Sequence, residues 1–153
     1  MEEINDLIYR LREGGVVITE PLENAMTKVD ISDFTEFDTS SFYNDRPVVF
    51  LETVEGGVKT ISAPHMIATL LYNLELNENQ NVVVYGAKGG YICALIAHIV
   101  GENGSVTVVD PSSEVIAHLA NSLRGYPTIT CHVLNDSLSR EIGPLNRVLV
   151  TGQ

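Results

Sequence analysis

The stretch from residue 82 to residue 90, Val-Val-Val-Tyr-Gly-Ala-Lys-Gly-Gly, decides the fold class. An uninterrupted apolar run ends in a glycine-rich turn, and an apolar segment, Ile92 to Val100, follows before Gly101. This order predicts a buried strand, a tight turn and a helix, which together form the first unit of a parallel α/β sheet. A turn of this kind lets a ligand approach the backbone near the N-terminus of a helix.

The same alternation continues towards the C-terminus. A second strand, Val106 to Val109, ends on Asp110, and a helix is predicted from about Ser113 to Leu123. Thr128 to Leu134 and Arg147 to Val150 are the third and fourth predicted strands. Strands that alternate with helices in this way predict a Rossmann-like α/β fold with a partial sheet of about four parallel strands.

The residues before this sheet predict an N-terminal helical segment with a β-hairpin. Apolar side chains recur at helical spacing over residues 4–11 and 22–29, and Thr19 is placed to cap the second of these helices. Two further strands, 48–54 and 58–61, and a helix from Pro64 to about Leu76 complete the predicted elements. We therefore expect two parts, a cap region over residues 1–62 and the first half of a Rossmann-like domain over residues 63–153.

Composition narrows the classes of function. A formal net charge of −11 argues against binding a nucleic-acid backbone, which requires clustered lysine and arginine. No apolar run approaches the roughly 20 residues that span a bilayer, and the acidic start of the chain does not resemble a signal peptide. Two cysteines cannot build a disulfide framework, and no spacing of ligand-forming residues predicts a metal site. These features lead us to expect a cytoplasmic protein that contacts neither nucleic acid nor membrane.

Three features are expected at the carboxyl edge of the predicted sheet, where ligands of open α/β folds bind. They are the glycine-rich turn, Asp110 after the second strand, and Asp136 after the third strand. Asp110 is placed to accept hydrogen bonds from a ribose diol, and Asp136 could bond an adenine amino group or line the pocket. Each feature alone also fits a tight turn or a helix cap. Together they indicate a nucleoside-type ligand, and the spacing leaves a dinucleotide and S-adenosylmethionine as alternatives.

The run Thr60-Ile61-Ser62-Ala63-Pro64-His65-Met66 resembles the signature segment of the protein-L-isoaspartate O-methyltransferase family. The stretches 43–47 and 148–151 and the pair Gly90-Tyr91 also resemble the corresponding parts of that family. The resemblance covers nearly the whole chain. It implies a methyltransferase of the S-adenosylmethionine-dependent superfamily that methylates the free α-carboxylate of isoaspartyl residues in peptides or proteins, a protein-repair reaction.

By this resemblance the cofactor, S-adenosylmethionine, is bound by residues of the glycine turn and by two aspartates: Gly86, Ala87, Gly90, Asp110 and Asp136. Ser62, with Thr60 beside it, is implied to lie at the reacting centre as a catalytic residue. A second interpretation of Ser62 is structural, because serine before Pro64 is typical of a helix N-terminus. The two interpretations are compatible.

Two departures from the family pattern weaken the expectation of cofactor binding. Val84 stands where the family usually has an acidic residue, and Lys88 stands at the central glycine position of the loop. A cation at position 88 would oppose a sulfonium, and its side chain would crowd a close backbone approach. The chain also stops at Gln153, after the fourth strand, which leaves an open sheet edge for a further segment, a second copy or a partner chain to cover.

Whether this chain is an enzyme is therefore left open by the sequence. The main hypothesis is an isoaspartyl O-methyltransferase, and the alternative is a non-catalytic, degenerate member that keeps the fold for binding or assembly. A methyltransferase acting on tRNA is disfavoured by the acidic charge and by the run from Thr60 to Met66.

Overall fold

A computed structural model describes residues 2–86, 88–135 and 145–151. The helices are α1 (Glu2–Glu13), α2 (Glu20–Lys28), α3 (Pro64–Leu74), α4 (Gly90–Val100) and α5 (Ser113–Ser122), with short 3-10 helices at Ile31–Phe34 and Ser40–Asn44. The strands are β1 (Val48–Glu52), β2 (Val58–Ile61), β3 (Asn81–Tyr85), β4 (Ser105–Asp110), β5 (Ile129–Val133) and β6 (Arg147–Val150). No described helix is long and apolar enough to cross a membrane.

The larger sheet is parallel and has the strand order β5-β4-β3-β6. Val84 of β3 pairs with Val108 of β4 on one side and with Leu149 of β6 on the other. The chain runs outward from β3 through β4 to β5 and then returns to the opposite side of β3. The order therefore reverses beside β3, and a Rossmann-like fold binds its ligands at such a point.

One hydrophobic core joins the N-terminal helices to the sheet. It includes the buried stripes of α1 and α2, almost all of α4, and the face of the sheet formed by Val82, Val84, Val106, Val108 and Leu149. The opposite face has a small cluster of Val83 and Val109 with Tyr85 packed against it. On β6 the side chains of Val148 and Val150 remain exposed.

Aromatic side chains hold the irregular segment between α2 and β1 onto this core. Phe34 and Phe42 are buried and pack edge-on against the ring of Tyr91 in α4, at centroid distances of 5.9 and 5.2 Å. Phe37 of the same segment is exposed.

The β1–β2 hairpin is a separate two-stranded sheet that lies beside the carboxyl edge of the parallel sheet. Its strands are antiparallel, with a register shift between Val49 and Leu51. At the tip, the backbone N–H of Val54 donates to Oε2 of Glu114 in α5 at 3.2 Å. This hydrogen bond joins the hairpin to the first turn of the helix that follows β4.

Several local predictions are wrong. Thr19 occupies the N-cap position of α2, but its side chain forms no capping hydrogen bond. The N-cap of α3 is Ala63, so Ser62 lies one residue too early to cap that helix. Within α3, Met66 is 45% exposed, whereas Ile67, Ala68 and Leu71 are buried.

Candidate functional site

A cavity of about 220 Å³ lies at the carboxyl edge of the parallel sheet, between β3, β4 and the hairpin. The sheet side contributes the loop after β3 and the start of α5, and the hairpin contributes β1 and β2. Its lining residues are Phe50, Val58, Lys59, Thr60, Gly86, Lys88, Asp110, Pro111, Ser112 and Val115. Three of the predicted site residues, Thr60, Gly86 and Asp110, are therefore brought together.

Gly86 directly follows β3 in a conformation that favours glycine. Its φ is +73°, and a Cβ there would lie 3.0 Å from the carbonyl oxygen of Thr151. The N–H of Gly86 donates to the carbonyl of Val109, and the N–H of Thr151 donates to the carbonyl of Tyr85. The ends of β3, β4 and β6 are thus tied together around a bare backbone, which a ligand can approach closely.

Asp110 is largely buried at the end of β4, and one of its carboxylate oxygens is used by the protein. Oδ1 accepts a hydrogen bond from the N–H of Ser112 at 2.8 Å, and Oγ of Ser112 accepts one from Val115 at the start of α5. Oδ2 of Asp110 has no hydrogen-bond partner among the residues that the structure describes. The carboxylate therefore stabilises the turn into α5 and also keeps an acceptor for a ligand hydroxyl at the cavity.

Ser62 lies beside the main cavity and not in it. It lines a much smaller space of about 10 Å³ together with Thr151 and Lys88, among others. Lys88 lines both cavities and thus lies between Ser62 on one side and Asp110 on the other. Of the three remaining predicted cofactor residues, Ala87 and Asp136 lie outside the described residues.

Gly90 contacts protein side chains and does not line the cavity. As the first residue of α4 it is buried, and a Cβ there would lie 2.9 Å from Cδ1 of Phe34 and 3.0 Å from Oγ of Ser122. The need for glycine at this position comes from helix packing. The predicted role of Gly90 towards a cofactor stays a prediction.

The two departures at Val84 and Lys88 differ in their surroundings. Val84 is fully buried in the core, where valine leaves no unpaired charge. Lys88 is half-buried and lies between Gly86 and Gly89, whose φ values are both positive. Glycine is therefore kept at the loop positions whose backbone needs it, and the fold accepts a side chain at position 88.

Sequence reasoning missed the hairpin wall of the cavity, namely Phe50, Val58 and Lys59, and the stretch after Asp110. Lys59 could have been suspected as a site residue from the sequence, because it directly precedes Thr60. Nothing in the sequence indicated Phe50, because it is an apolar strand residue like its neighbours. Among the described residues no group of three His, Cys, Asp or Glu side chains could hold a metal ion.

The lining residues fit an adenosine-type ligand. Asp110 offers a carboxylate oxygen to a diol, while Phe50, Pro111 and Val115 offer apolar surface to a base. Gly86 allows the close backbone approach that such a ligand needs. Fold and cavity together define a Rossmann-like domain with a site for an adenosine-type ligand.

Comparison with known proteins identifies the family within that class. The sequence profile described as Protein-L-isoaspartate(D-aspartate) O-methyltransferase matches residues 2–136, so the chain belongs to this family. It is 36% identical to the protein-L-isoaspartate O-methyltransferase of Methanococcoides burtonii, over 95% of this chain and 70% of that protein. For the enzyme of the same name from Methanosarcina mazei, identity is 33% over 98% of this chain and 62% of the relative. The chain thus spans about two thirds of the length of these relatives.

Solved structures agree with this fold. One solved protein-L-isoaspartate O-methyltransferase matches 96% of this chain with a TM-score of 0.80 at 22% identity, and the chain covers 47% of it. A second, a family member described as putative from Plasmodium falciparum in complex with S-adenosyl-L-homocysteine, gives a TM-score of 0.76 at 20% identity, over 96% of this chain and 72% of that one. The predicted Rossmann-like fold and the family resemblance are both confirmed.

Proposed function

We propose that this chain forms the cofactor-binding part of a protein-L-isoaspartate O-methyltransferase, with S-adenosylmethionine as cofactor and isoaspartyl peptides or proteins as substrates. The observation that carries the proposal is the meeting of Thr60, Gly86 and Asp110 on one cavity at the reversal of strand order. Membership of the family supplies the reaction class.

When bound, S-adenosylmethionine supplies a methyl group on a sulfonium. Asp110 would hold a ribose diol through Oδ2, because Oδ1 already accepts the Ser112 hydrogen bond. Because Gly86 has no side chain, its backbone would allow close approach of the part of the cofactor next to the ribose. Phe50 and Val115 would exclude water from the base.

The nucleophile in this reaction is a carboxylate that is already ionised at neutral pH, so the chain needs no general base. Catalysis then comes from alignment of the reacting atoms and from exclusion of water. Ser62 and Thr60 are the residues we assign to orientation of the substrate carboxylate. Their positions on adjoining cavities support this assignment.

We also propose a role in protein repair, in the cytoplasm. Support for a reducing compartment comes from Cys93 and Cys131, which are both free thiols. Burial raises the pKa of Cys93 and of Cys131, which keeps both in the unreactive thiol form at neutral pH.

Calorimetric titration with S-adenosylmethionine and S-adenosylhomocysteine tests the proposal first. Saturable binding at micromolar to millimolar ligand is expected, and absence of heat at millimolar ligand would refute it. The second step measures methyl-ester formation on an isoaspartyl peptide against the matching aspartyl peptide. Binding without turnover would favour the alternative of a non-catalytic member that keeps the fold for binding or assembly.

A further inference from the structure

Two of the three lysines in this chain line the candidate cofactor cavity. The lysines are Lys28, Lys59 and Lys88, and the last two belong to the same cavity lining. The chain has a net charge of −11, so its general field repels anions. The charge of the cavity lining has the opposite sign, because Lys59 and Lys88 face a single acidic residue, Asp110, among the described residues that line it.

Lys88 has the more confined position of the two. It is half-buried, whereas Lys59 is exposed on the hairpin. Lys88 also lies two residues before the start of α4, whose N-cap, Gly89, provides no side-chain capping hydrogen bond. The partial positive charge of a helix N-terminus therefore adds to the lysine charges on this side of the cavity.

We propose that Lys88, assisted by Lys59, forms a carboxylate-binding subsite beside the adenosine-type site. The inference rests on the proposed function, whose reaction brings two carboxylates to this region. One belongs to the amino-acid part of the cofactor and the other to the isoaspartyl substrate. Lys88 can serve either, since it lines the cavity of Asp110 and also the small cavity of Ser62. A lysine binds a carboxylate as a compact point charge with three donors.

The first arm of the test asks whether the subsite binds the cofactor's carboxylate. S-adenosylhomocysteine and 5′-methylthioadenosine share the adenosine and the thioether, and only the former has the amino-acid group. Both are titrated calorimetrically into the whole chain and into Lys88→Gln, Lys59→Gln and Lys28→Gln. Lys28 lies at the end of α2 and is the matched control. We expect Lys88→Gln to raise the dissociation constant of S-adenosylhomocysteine by about fivefold to tenfold and to leave that of 5′-methylthioadenosine unchanged.

The second arm asks whether the subsite binds the substrate's carboxylate. With S-adenosylhomocysteine present, binding of an isoaspartyl peptide is compared with binding of the same peptide carrying an α-carboxamide. If the substrate's carboxylate is the ligand, Lys88→Gln removes the preference for the free carboxylate by a similar factor. Lys59→Gln should have a smaller effect in the same arm because its side chain is exposed.

Loss of discrimination in either arm supports the subsite and identifies which carboxylate it binds. The subsite would be refuted if Lys88→Gln weakened the binding of both nucleosides equally in the first arm and of both peptides equally in the second. Lys88 would then affect only the shape of the cavity and not the binding of a carboxylate. The subsite is likewise refuted if Lys88→Gln and Lys28→Gln behave alike in both arms while S-adenosylhomocysteine still binds. Absence of any nucleoside binding to the unaltered chain would instead refute the proposed function and the subsite together.

Discussion

Replacing Gly89 by alanine should destabilise the protein in a way that can be separated into two causes. Gly89 precedes α4 with φ +83° and ψ 170°, a region of backbone space that is essentially reserved for glycine. A Cβ at this position would lie 2.5 Å from Cγ1 of Ile61 and 3.3 Å from Cδ1 of Phe50. The first distance is shorter than real carbon contacts, so the side chain of Ile61, the hairpin or the loop must move.

Gly101 is the matched control at the other end of the same helix. Its φ and ψ are 78° and −174°, almost those of Gly89, and a Cβ there would meet no atom within 4 Å. Gly101→Ala therefore has only the conformational cost of about 1–3 kcal/mol. Gly89→Ala has that cost and in addition about 1–3 kcal/mol for overpacking against Ile61. Gly125→Ala, with neither feature, is expected to stay within about 0.5 kcal/mol of the parent.

Urea unfolding followed by circular dichroism measures these differences. With a slope of about 2 kcal/mol/M, the midpoint of Gly89→Ala should fall about 0.5–1.5 M below that of Gly101→Ala. In a double-mutant cycle, Ile61→Ala removes the two atoms nearest to the added methyl group. It should therefore cost about 1–3 kcal/mol less in the Gly89→Ala background than alone. Equal midpoints for Gly89→Ala and Gly101→Ala would refute the packing argument.

Three further outcomes are expected. Asp110→Asn keeps an acceptor for the N–H of Ser112 and should therefore preserve stability. Calorimetry should show that it raises the dissociation constant of 5′-methylthioadenosine about tenfold or more. An unchanged dissociation constant would show that Asp110 does not bind the ligand. Ser62→Ala should leave the urea midpoint unchanged, since Ser62 caps no helix, but should reduce the rate of methyl-ester formation on an isoaspartyl peptide; a full rate would contradict its catalytic assignment. Burial lowers the pKa of His118, which Glu36 opposes in part, so the folded state binds fewer protons than the unfolded state and stability should fall as pH drops below about 6.5. His118→Gln should flatten that slope between pH 7 and pH 5 in urea titrations, and an unaltered slope would assign it to other groups.

The parallel sheet could be predicted because its signal is local. Apolar runs at 82–85, 106–109 and 147–150 are strands in the structure, with bounds that differ by a residue or less. The family resemblance depended most on one specific run of seven residues, Thr60 to Met66, and the match of the family over residues 2–136 confirms it.

The capping residues and the hairpin wall could not be predicted because they depend on geometry that sequence spacing does not contain. Thr19 has the right residue type and position, yet its hydroxyl makes no capping bond. Phe50 and Lys59 reach the cavity only after the hairpin folds over residues that lie more than 25 positions away in sequence. The contact between Val54 and Glu114, which spans 60 positions, is of the same kind.

The departures at positions 84 and 88, on either side of Gly86, change the local charge in the same direction. The resemblance implies an acid where Val84 stands and a glycine where Lys88 stands, so this chain lacks one negative charge and gains one positive charge. Both changes disfavour a bound sulfonium and favour an anionic group.

S-adenosylmethionine and S-adenosylhomocysteine carry the same carboxylate and differ in the charge on sulfur. Because they also differ by the methyl group on sulfur, the repulsion by Lys88 is measured by the change in the ratio of their dissociation constants between the unaltered chain and Lys88→Gln. We expect that ratio, S-adenosylmethionine over S-adenosylhomocysteine, to fall about threefold to tenfold in Lys88→Gln, which corresponds to a Coulomb energy of about 1 kcal/mol across a partly solvated cavity. A ratio that does not change would mean that the ammonium of Lys88 lies too far from the sulfur to act on it, whatever it does to the carboxylate.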